Sequence, residues 1–254
     1  MTVAEHQAQL QSEVLEDLRG ARHYRGWLVR LASPHLGDDP IEIGSGLGDY
    51  AAELAAGRTR YTATEADPRR LAVLADRFAG HPVVRVRPLS LPAVETAGHS
   101  AVVMLNVLEH IDADVVALRS AAGLVRPGGA VVVLVPAFPG AMSRFDRLIG
   151  HHRRYTRHSL ATALTGAGLR VERLHYVNSL GLLAWFVLMR AARMVPRDGP
   201  ALRWYDATVI RGLARLERHR RPPFGQSVFA VARIPDAGGP PAGAGGDASP
   251  AGRP

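Results

Sequence analysis

Short β-branched and aliphatic runs alternate along this chain with stretches whose apolar residues recur every three or four positions. That alternation is the signature of parallel strands joined by crossover helices. Strand runs fall at Pro40 to Ile43, Tyr61 to Glu65, Val83 to Val86, Ala101 to Leu105, Ala130 to Val135, Leu169 to Tyr176 and Ser227 to Ile234. They predict an α/β fold around one seven-stranded, mostly parallel sheet flanked by helices. Leu10, Val14, Leu15 and Leu18 mark a helical face ahead of the first strand, and a second helix is expected from His23 to Ala32, so residues 1–36 read as a helical cap.

The main domain is expected over 37–234. Ala113 to Val125 reads as a helix stopped by Arg126-Pro127-Gly128-Gly129, and Ser159 to Gly168 as a helix ending on glycine. Residues 138–157, between them, are polar, glycine-containing and arginine-rich, which predicts a long active-site loop or short lid helix. Residues 178–224 form a helical insertion before the last strand. Its uncharged stretch, Tyr176 to Met189, falls short of the ~20 residues that cross a bilayer, and suits a buried, dimer-forming or lipid-touching helix. The tail 235–254, made only of Pro, Gly, Ala, Asp, Ser and Arg, is expected to be disordered.

Composition narrows the chemistry. The 254 residues are 47% hydrophobic and 21% charged, enough to bury a full core. Without cysteine there is no disulfide framework, thiolate metal site or cysteine nucleophile. The N-terminus lacks a signal-peptide core, which makes a cytoplasmic protein the expectation. The net charge of +8 comes entirely from arginine, since the chain has no lysine. Arginine's planar fork suits phosphate or carboxylate, so an anionic small molecule, nucleic acid or a membrane surface are all admissible partners.

The strongest local signal is Ile41-Glu42-Ile43-Gly44-Ser45-Gly46-Leu47-Gly48-Asp49-Tyr50, an apolar strand entering a glycine loop and then a helix. Such a loop lets the backbone approach a ligand closely and offers unpaired helix N–H groups. Its third glycine falls one position early for the dinucleotide pattern G-x-G-x-x-G. Glu65 ends the second strand, where a carboxylate can accept hydrogen bonds from both hydroxyls of a ribose. Loop and acid together point to an adenosine.

The G-x-G-x-G spacing, the acid ahead of it and the lack of a basic residue in the loop resemble the class I S-adenosylmethionine-dependent methyltransferases, which have a Rossmann-like fold. Asn106-Val107-Leu108-Glu109-His110-Ile111 and Leu124-Val125-Arg126-Pro127-Gly128-Gly129 resemble blocks of that family's small-molecule branch. Tyr24-x-x-Trp27, Gly150-His151-His152-Arg153-Arg154-Tyr155, Asn178-x-x-Gly181 and Pro223-Phe224-Gly225-Gln226-Ser227 resemble a bacterial biosynthetic and glycan-modifying subgroup. The resemblance implies S-adenosylmethionine as cofactor and S-adenosylhomocysteine as product. It would place Glu42, Gly44, Ser45, Gly46 and Gly48 along the methionine end, Glu65 with Ala66 at the ribose, and Asn106 and Leu108 beside the sulfonium. Where the family commonly has an aspartate for the adenine, this chain offers Ser90.

Methyl transfer is an in-line displacement, so alignment and exclusion of water matter more than covalent machinery. An oxygen or nitrogen acceptor must also lose a proton, for which the sequence offers His110, the first choice by its place after the fourth strand, His151 and His152, with Tyr155 as a further catalytic candidate. Glu109 reads as a partner or loop anchor. Arg144, His152, Arg153 and Arg154 are candidates for holding an anionic substrate, and Tyr24 and Trp27 for closing over cofactor or substrate or for packing in the core. His151-His152 with Asp146 lacks a third ligand at metal spacing, so no metal is expected. The acceptor is expected on a small or carrier-bound metabolite, on a monomeric or homodimeric enzyme. Nucleic-acid methylation, suggested by Arg215 to Arg221, lacks a base-flipping motif; lipid-linked glycan methylation and a non-catalytic cofactor-binding protein are the remaining alternatives.

Overall fold

The computed structural model describes residues 3–17, 20–186 and 199–235. Seven strands, β1 (Pro40–Ile43), β2 (Tyr61–Glu65), β3 (Val84–Pro88), β4 (His99–Leu105), β5 (Val125–Pro136), β6 (Arg170–Val177) and β7 (Ser227–Arg233), form one sheet in the order β3-β2-β1-β4-β5-β7-β6. Strand β7 is antiparallel to both its neighbours, and every other pairing is parallel. The expected seven-stranded, mostly parallel α/β fold is borne out. The order reverses between β1 and β4, so the carboxyl ends of those two strands flank the crevice where ligands of open α/β sheets bind.

Residues on β5 alternate between two apolar layers. Val131, Val133 and Val135 face helices α5 (Asp114–Gly123) and α7 (Arg157–Gly166), while Val132 and Leu134 face the layer containing Trp27 and Leu28 of α2 (Arg22–Ala32) and Leu54 of α3 (Asp49–Leu54). Burial on both faces explains why these strands read as continuous apolar runs. Each fully buried Val or Leu contributes ~1.5–3 kcal/mol. Caps fix the helix starts. Asp67 accepts the N–H groups of Arg69 and Arg70 at the head of α4 (Pro68–Arg77), and Thr156 forms a capping box with Ser159 that starts α7 two residues ahead of the expected Ser159.

Other boundaries move for physical reasons. Arg126-Pro127-Gly128-Gly129 lies within β5 as an irregularity between the pairs His99–Val125 and Ala101–Ala130, where it was expected to stop a helix. Gly128 donates its N–H to Ile234 O, and Gly129 O accepts from Ile234 N, so the end of β7 and the residue after it hold the bulge in the sheet. The lid region contains a 3₁₀ turn at Pro139–Ala141 and α6 (Arg144–Leu148). Within the insertion, Tyr176 and Val177 belong to β6. They are followed by α8 (Ser179–Trp185), then by α9 (Pro200–Tyr205), a π-helical turn at Asp206–Ile210 and α10 (Arg211–His219). The rest of the uncharged stretch, from 187, and the tail beyond Pro235 lie outside the described residues. Among the described residues no helix is long and apolar enough to cross a membrane.

Gly48 joins the glycine loop to α3 with φ +83°, and a Cβ there would lie 2.6 Å from Phe78 and 2.8 Å from Leu74. Gly48→Ala should therefore destabilise the fold by ~1–3 kcal/mol, from left-handed backbone strain plus overpacking against α4. Urea unfolding checks this; a change below ~0.5 kcal/mol would mean that the loop packs less tightly on α4 than described.

Candidate active site

The glycine loop and Glu65 meet at the carboxyl edge of the sheet. The N–H of Gly46 donates to Glu65 Oε2 at 2.9 Å, while Oε1 accepts from Ala66 N, Asp67 N and Arg70 Nη2. Oε2 thus carries a single bond and keeps acceptor capacity for a ribose hydroxyl. Gly44 and Gly46 both have positive φ, and a Cβ on Gly44 would lie 2.8 Å from Val107. The loop must be glycine to lie this close to the end of β4, and it fits an adenosyl ligand.

Glu42 is buried beneath the loop and accepts from Ser45 Oγ at 2.9 Å and Tyr61 OH at 3.0 Å. Burial pushes its carboxyl up to about 7 against the pull of those two donors. A ligand ammonium would favour the ionised form. On the other side of the crevice, Asn106 is exposed with φ 56° at the end of β4, and Leu108 is fully buried. Ala66 and Ser90 are exposed at the ends of β2 and β3.

Next to Asn106, the chain turns through Leu108–His110 and brings Glu109 and His110 against the lid. Glu109 is fully buried, and neither carboxylate oxygen has a hydrogen-bond partner among the described residues. Burial raises its pKa to about 8. His151 Nε2 lies 3.9 Å from Glu109 Oε1, and the rings of His110 and His151 meet edge to face at 4.6 Å. Burial, with His151 adding to it, lowers His110 to about 3, which makes it a neutral hydrogen-bonding group and a weak base. The ligating atoms of Glu109, His110 and His151 lie within 4.8 Å of one another, a different trio from the His151-His152-Asp146 set considered in the sequence.

Asp146 organises this corner. It accepts from Ser143 N and Oγ, from His151 Nδ1 at 3.0 Å, and from Arg154 Nε and Nη2 at 3.1 and 2.7 Å. Although burial opposes ionisation, the hydrogen bonds from His151 and Arg154 hold the Asp146 carboxyl well below the usual range. With Asp146 anionic, His151 Nδ1 is the donor of this hydrogen bond. His110, His151 and His152 line a cavity of about 360 Å³ together with Gln7, Gln11 and Arg147.

Several residues expected at the substrate are engaged elsewhere. Arg154 is buried, with its fork spent on Asp146 and Ala137 O, so it builds the lid instead of gripping an anion. Tyr155 is buried and donates its hydroxyl to Asp114 Oδ2 at 2.9 Å, which removes it from the reacting groups. Arg153 pairs with Asp112 and Asp114. Trp27 packs in the core, edge-on to Tyr24. Arg144 and His152 are exposed.

Two contributors were not legible as site residues. Helix α1 (Val3–Asp17) crosses the carboxyl edge: Arg70 Nη1 donates to Ala8 O, Gln11 Nε2 donates to Ile149 O at 2.7 Å, and Gln11 Nε2 lies 3.3 Å from His110 Nδ1. The polar residues Gln7 and Gln11, one helical turn apart, were the available signal. In the sequence Asp146 stood out only as a companion of His151 and His152.

Comparison with known proteins agrees with this geometry. The profile of a family described as "Methyltransferase domain" matches residues 41–131, from β1 into β5. An uncharacterized methyltransferase of Mycobacterium tuberculosis (strain H37Rv) is 25% identical over 193 residues, covering 72% of this chain and 74% of the relative. Among solved structures, an S-adenosylmethionine-dependent methyltransferase from Mesorhizobium loti aligns with TM-score 0.56 at 14% identity over 81% of this chain and 95% of that one. The [4+2]-cyclase SpnF aligns with TM-score 0.57 at 20% identity over 83% and 81%. These structural likenesses speak for the fold alone. The matched methyltransferase domain and the methyltransferase relatives, on this fold, support an enzyme of the class I S-adenosylmethionine-dependent methyltransferase type.

The raised pKa of Glu109 fixes the sign of a stability effect. Its folded value, about 8, exceeds the unfolded value near 4.5, so its neutral form contributes fully below about pH 4.5 and that contribution is lost as pH rises through 8. Wild type should lose up to ~4 kcal/mol relative to Glu109→Gln between pH 5 and pH 8, measured by urea unfolding at both values. Parallel stability curves would place Glu109 in contact with water.

Proposed function

We propose that the enzyme binds S-adenosylmethionine along the β1–α3 loop and transfers its methyl group to an oxygen or nitrogen, less readily a carbon, of a small or carrier-bound metabolite. In this reading Glu42, Gly44, Ser45, Gly46 and Gly48 hold the methionine end and Glu65 the ribose. Ala66 and Ser90 stand at the adenosine, and Asn106 and Leu108 at the sulfonium. The hydrogen bond from Gly46 N–H to Glu65 Oε2 carries the reading, because it sets the acid at the end of β2 against the glycine loop as an adenosine site requires. The bound cofactor supplies an electrophilic methyl group; the protein's part is to align, desolvate and deprotonate.

Deprotonation falls to His151, not to His110. Asp146 accepts the Nδ1–H of His151 and can stabilise the imidazolium that forms when Nε2 takes a proton from the acceptor. His110 and Gln11 line the same cavity and orient the acceptor through hydrogen bonds. Helix α1 and the lid shield this corner from water. The setting is consistent with a biosynthetic, cytoplasmic enzyme acting as a monomer or homodimer.

Titration calorimetry with S-adenosylhomocysteine should show binding by wild type and at least tenfold weaker binding by Glu65→Ala, because two ribose hydroxyls lose a charged acceptor. No binding by wild type would overturn the cofactor site. With labelled methyl donor and an acceptor found by screening, His151→Ala should lower kcat ~10²–10⁴-fold while S-adenosylhomocysteine affinity stays the same. An unchanged kcat would remove His151 as the base.

A further inference from the structure

A second cavity, of about 710 Å³, lies between α2, the edge strand β6 and α10, apart from the His110–His151 corner. Arginines come to it from every side. Helix α2 contributes Arg22 and Arg30, eight residues apart on one face, with Gly26 between them leaving the wall without a side chain. Helix α10 contributes Arg211, Arg215 and Arg218 at helical spacing, and Arg221 follows its end. Strand β6 contributes Arg173 and His175, alternate positions on one face of the sheet.

The nearby carboxylates are already committed to backbone. Glu217 accepts from Asn178 N, Ser179 N and Ser179 Oγ, and Asp206 accepts from His23 N, His23 Nδ1 and Tyr24 N. Among the described residues Arg22, Arg30, Arg173, Arg211, Arg215 and Arg221 have no ion-pair partner. Seven guanidinium groups therefore line one concavity, against a single lining carboxylate, Glu217, whose oxygens are engaged at the start of α8. In its wall His175 is 9% exposed, and among the described residues its Nδ1 has no hydrogen-bond partner. Burial, then Arg221 and Arg173, lower His175 to about 4, so it stands there as a neutral imidazole. A buried imidazole nitrogen without a partner is a group awaiting one.

We propose that this groove binds a diphosphate ester. Several forked donors converging from three elements match phosphate oxygens bidentately. The volume suits a small molecule. Trp27 and Leu31 line the same groove and give the organic part of the ester an apolar wall. The groove follows β6 through Arg173, His175 and Val177 to the carboxyl edge, where Val177 pairs with Ser227 and Ser227 with Pro136 of β5. The ester would be the phosphorylated end of the methyl acceptor. That last assignment rests on the function proposed above, whereas diphosphate binding does not.

Inorganic pyrophosphate is the probe, titrated calorimetrically into the full chain at low and at high salt. Wild type should bind it, more weakly at high salt, and R173Q/R215Q should bind at least about tenfold more weakly with unchanged melting temperature and unchanged S-adenosylhomocysteine affinity. His175→Phe, which keeps the ring packing on Phe229, should also weaken pyrophosphate binding. The control R85Q/R119Q, two exposed arginines outside the groove, should bind as wild type. Absence of pyrophosphate binding by wild type, or an equal loss in the control, would overturn the proposal. So would binding confined to an RNA oligonucleotide or to vesicles containing phosphatidylglycerol, if R173Q/R215Q abolished it. Because S-adenosylhomocysteine binding is read separately, failure of this site is distinct from failure of the cofactor site.

Discussion

The buried carboxylate of Asp146 is the constraint on which the candidate active site depends. A carboxylate out of water is tolerable only when most of its lone pairs are filled, and Asp146 fills them with Ser143, His151 and Arg154. Each bond does something different. Ser143 starts α6, Arg154 reaches on to Ala137 O beyond β5, and His151 is turned so that Nε2 faces Glu109 and the cavity. Removal of this one charge would take the carboxylate from beside the buried Arg154 guanidinium and the acceptor from His151 Nδ1. The lid is therefore rigid where it meets the chemistry, although most of it is loop.

The same logic explains why His110 and His151, neighbours in space, differ so much. Both are largely buried, but only His151 has an anion on Nδ1. His110 has Gln11, a neutral partner that cannot offset the desolvation of an imidazolium. Glu109 is the third member, a carboxyl without hydrogen-bond partners whose own burial keeps it protonated over much of the neutral range. Two groups of ordinary chemistry are pushed in opposite directions by one buried setting, while His151 is held by the anionic Asp146.

The strands were legible in the sequence because their periodicity and their burial have the same cause: residues such as Val131 to Val135 are enclosed on both faces, and nothing competes with that pattern. β1 and β2 fall where the apolar runs place them. Local capping was harder to read. The Thr156–Ser159 box shifts α7, and the Gly128–Gly129 bulge becomes part of β5 only because β7, a hundred residues later, bonds to it. In the site, the placement of the glycine loop and Glu65 was legible since it depends on backbone conformation and strand ends, which sequence encodes locally. Arg154 and Tyr155 were misread because a side chain's partner is a tertiary fact. Nothing within Arg153-Arg154-Tyr155 tells which arginine turns inward to Asp146 and which stays half-exposed on Asp112 and Asp114.

Arginine is the only cation of ordinary pKa in this chain, and the structure uses it in two ways that composition cannot separate. Where a carboxylate is available, the guanidinium is structural: Arg70 ties Glu65 to α1, Arg154 ties Asp146 to β5, and Arg77 ties Asp49 to the loop at Leu47 O. Where the carboxylates are spent on helix ends, as Glu217 and Asp206 are, Arg22, Arg30, Arg173, Arg211, Arg215 and Arg221 have no ion-pair partner among the described residues and line a common space. A positive net charge spread evenly over a surface would favour solubility and little else. Its concentration between α2, β6 and α10, beside carboxylates already saturated by N–H groups, is what turns composition into a binding surface.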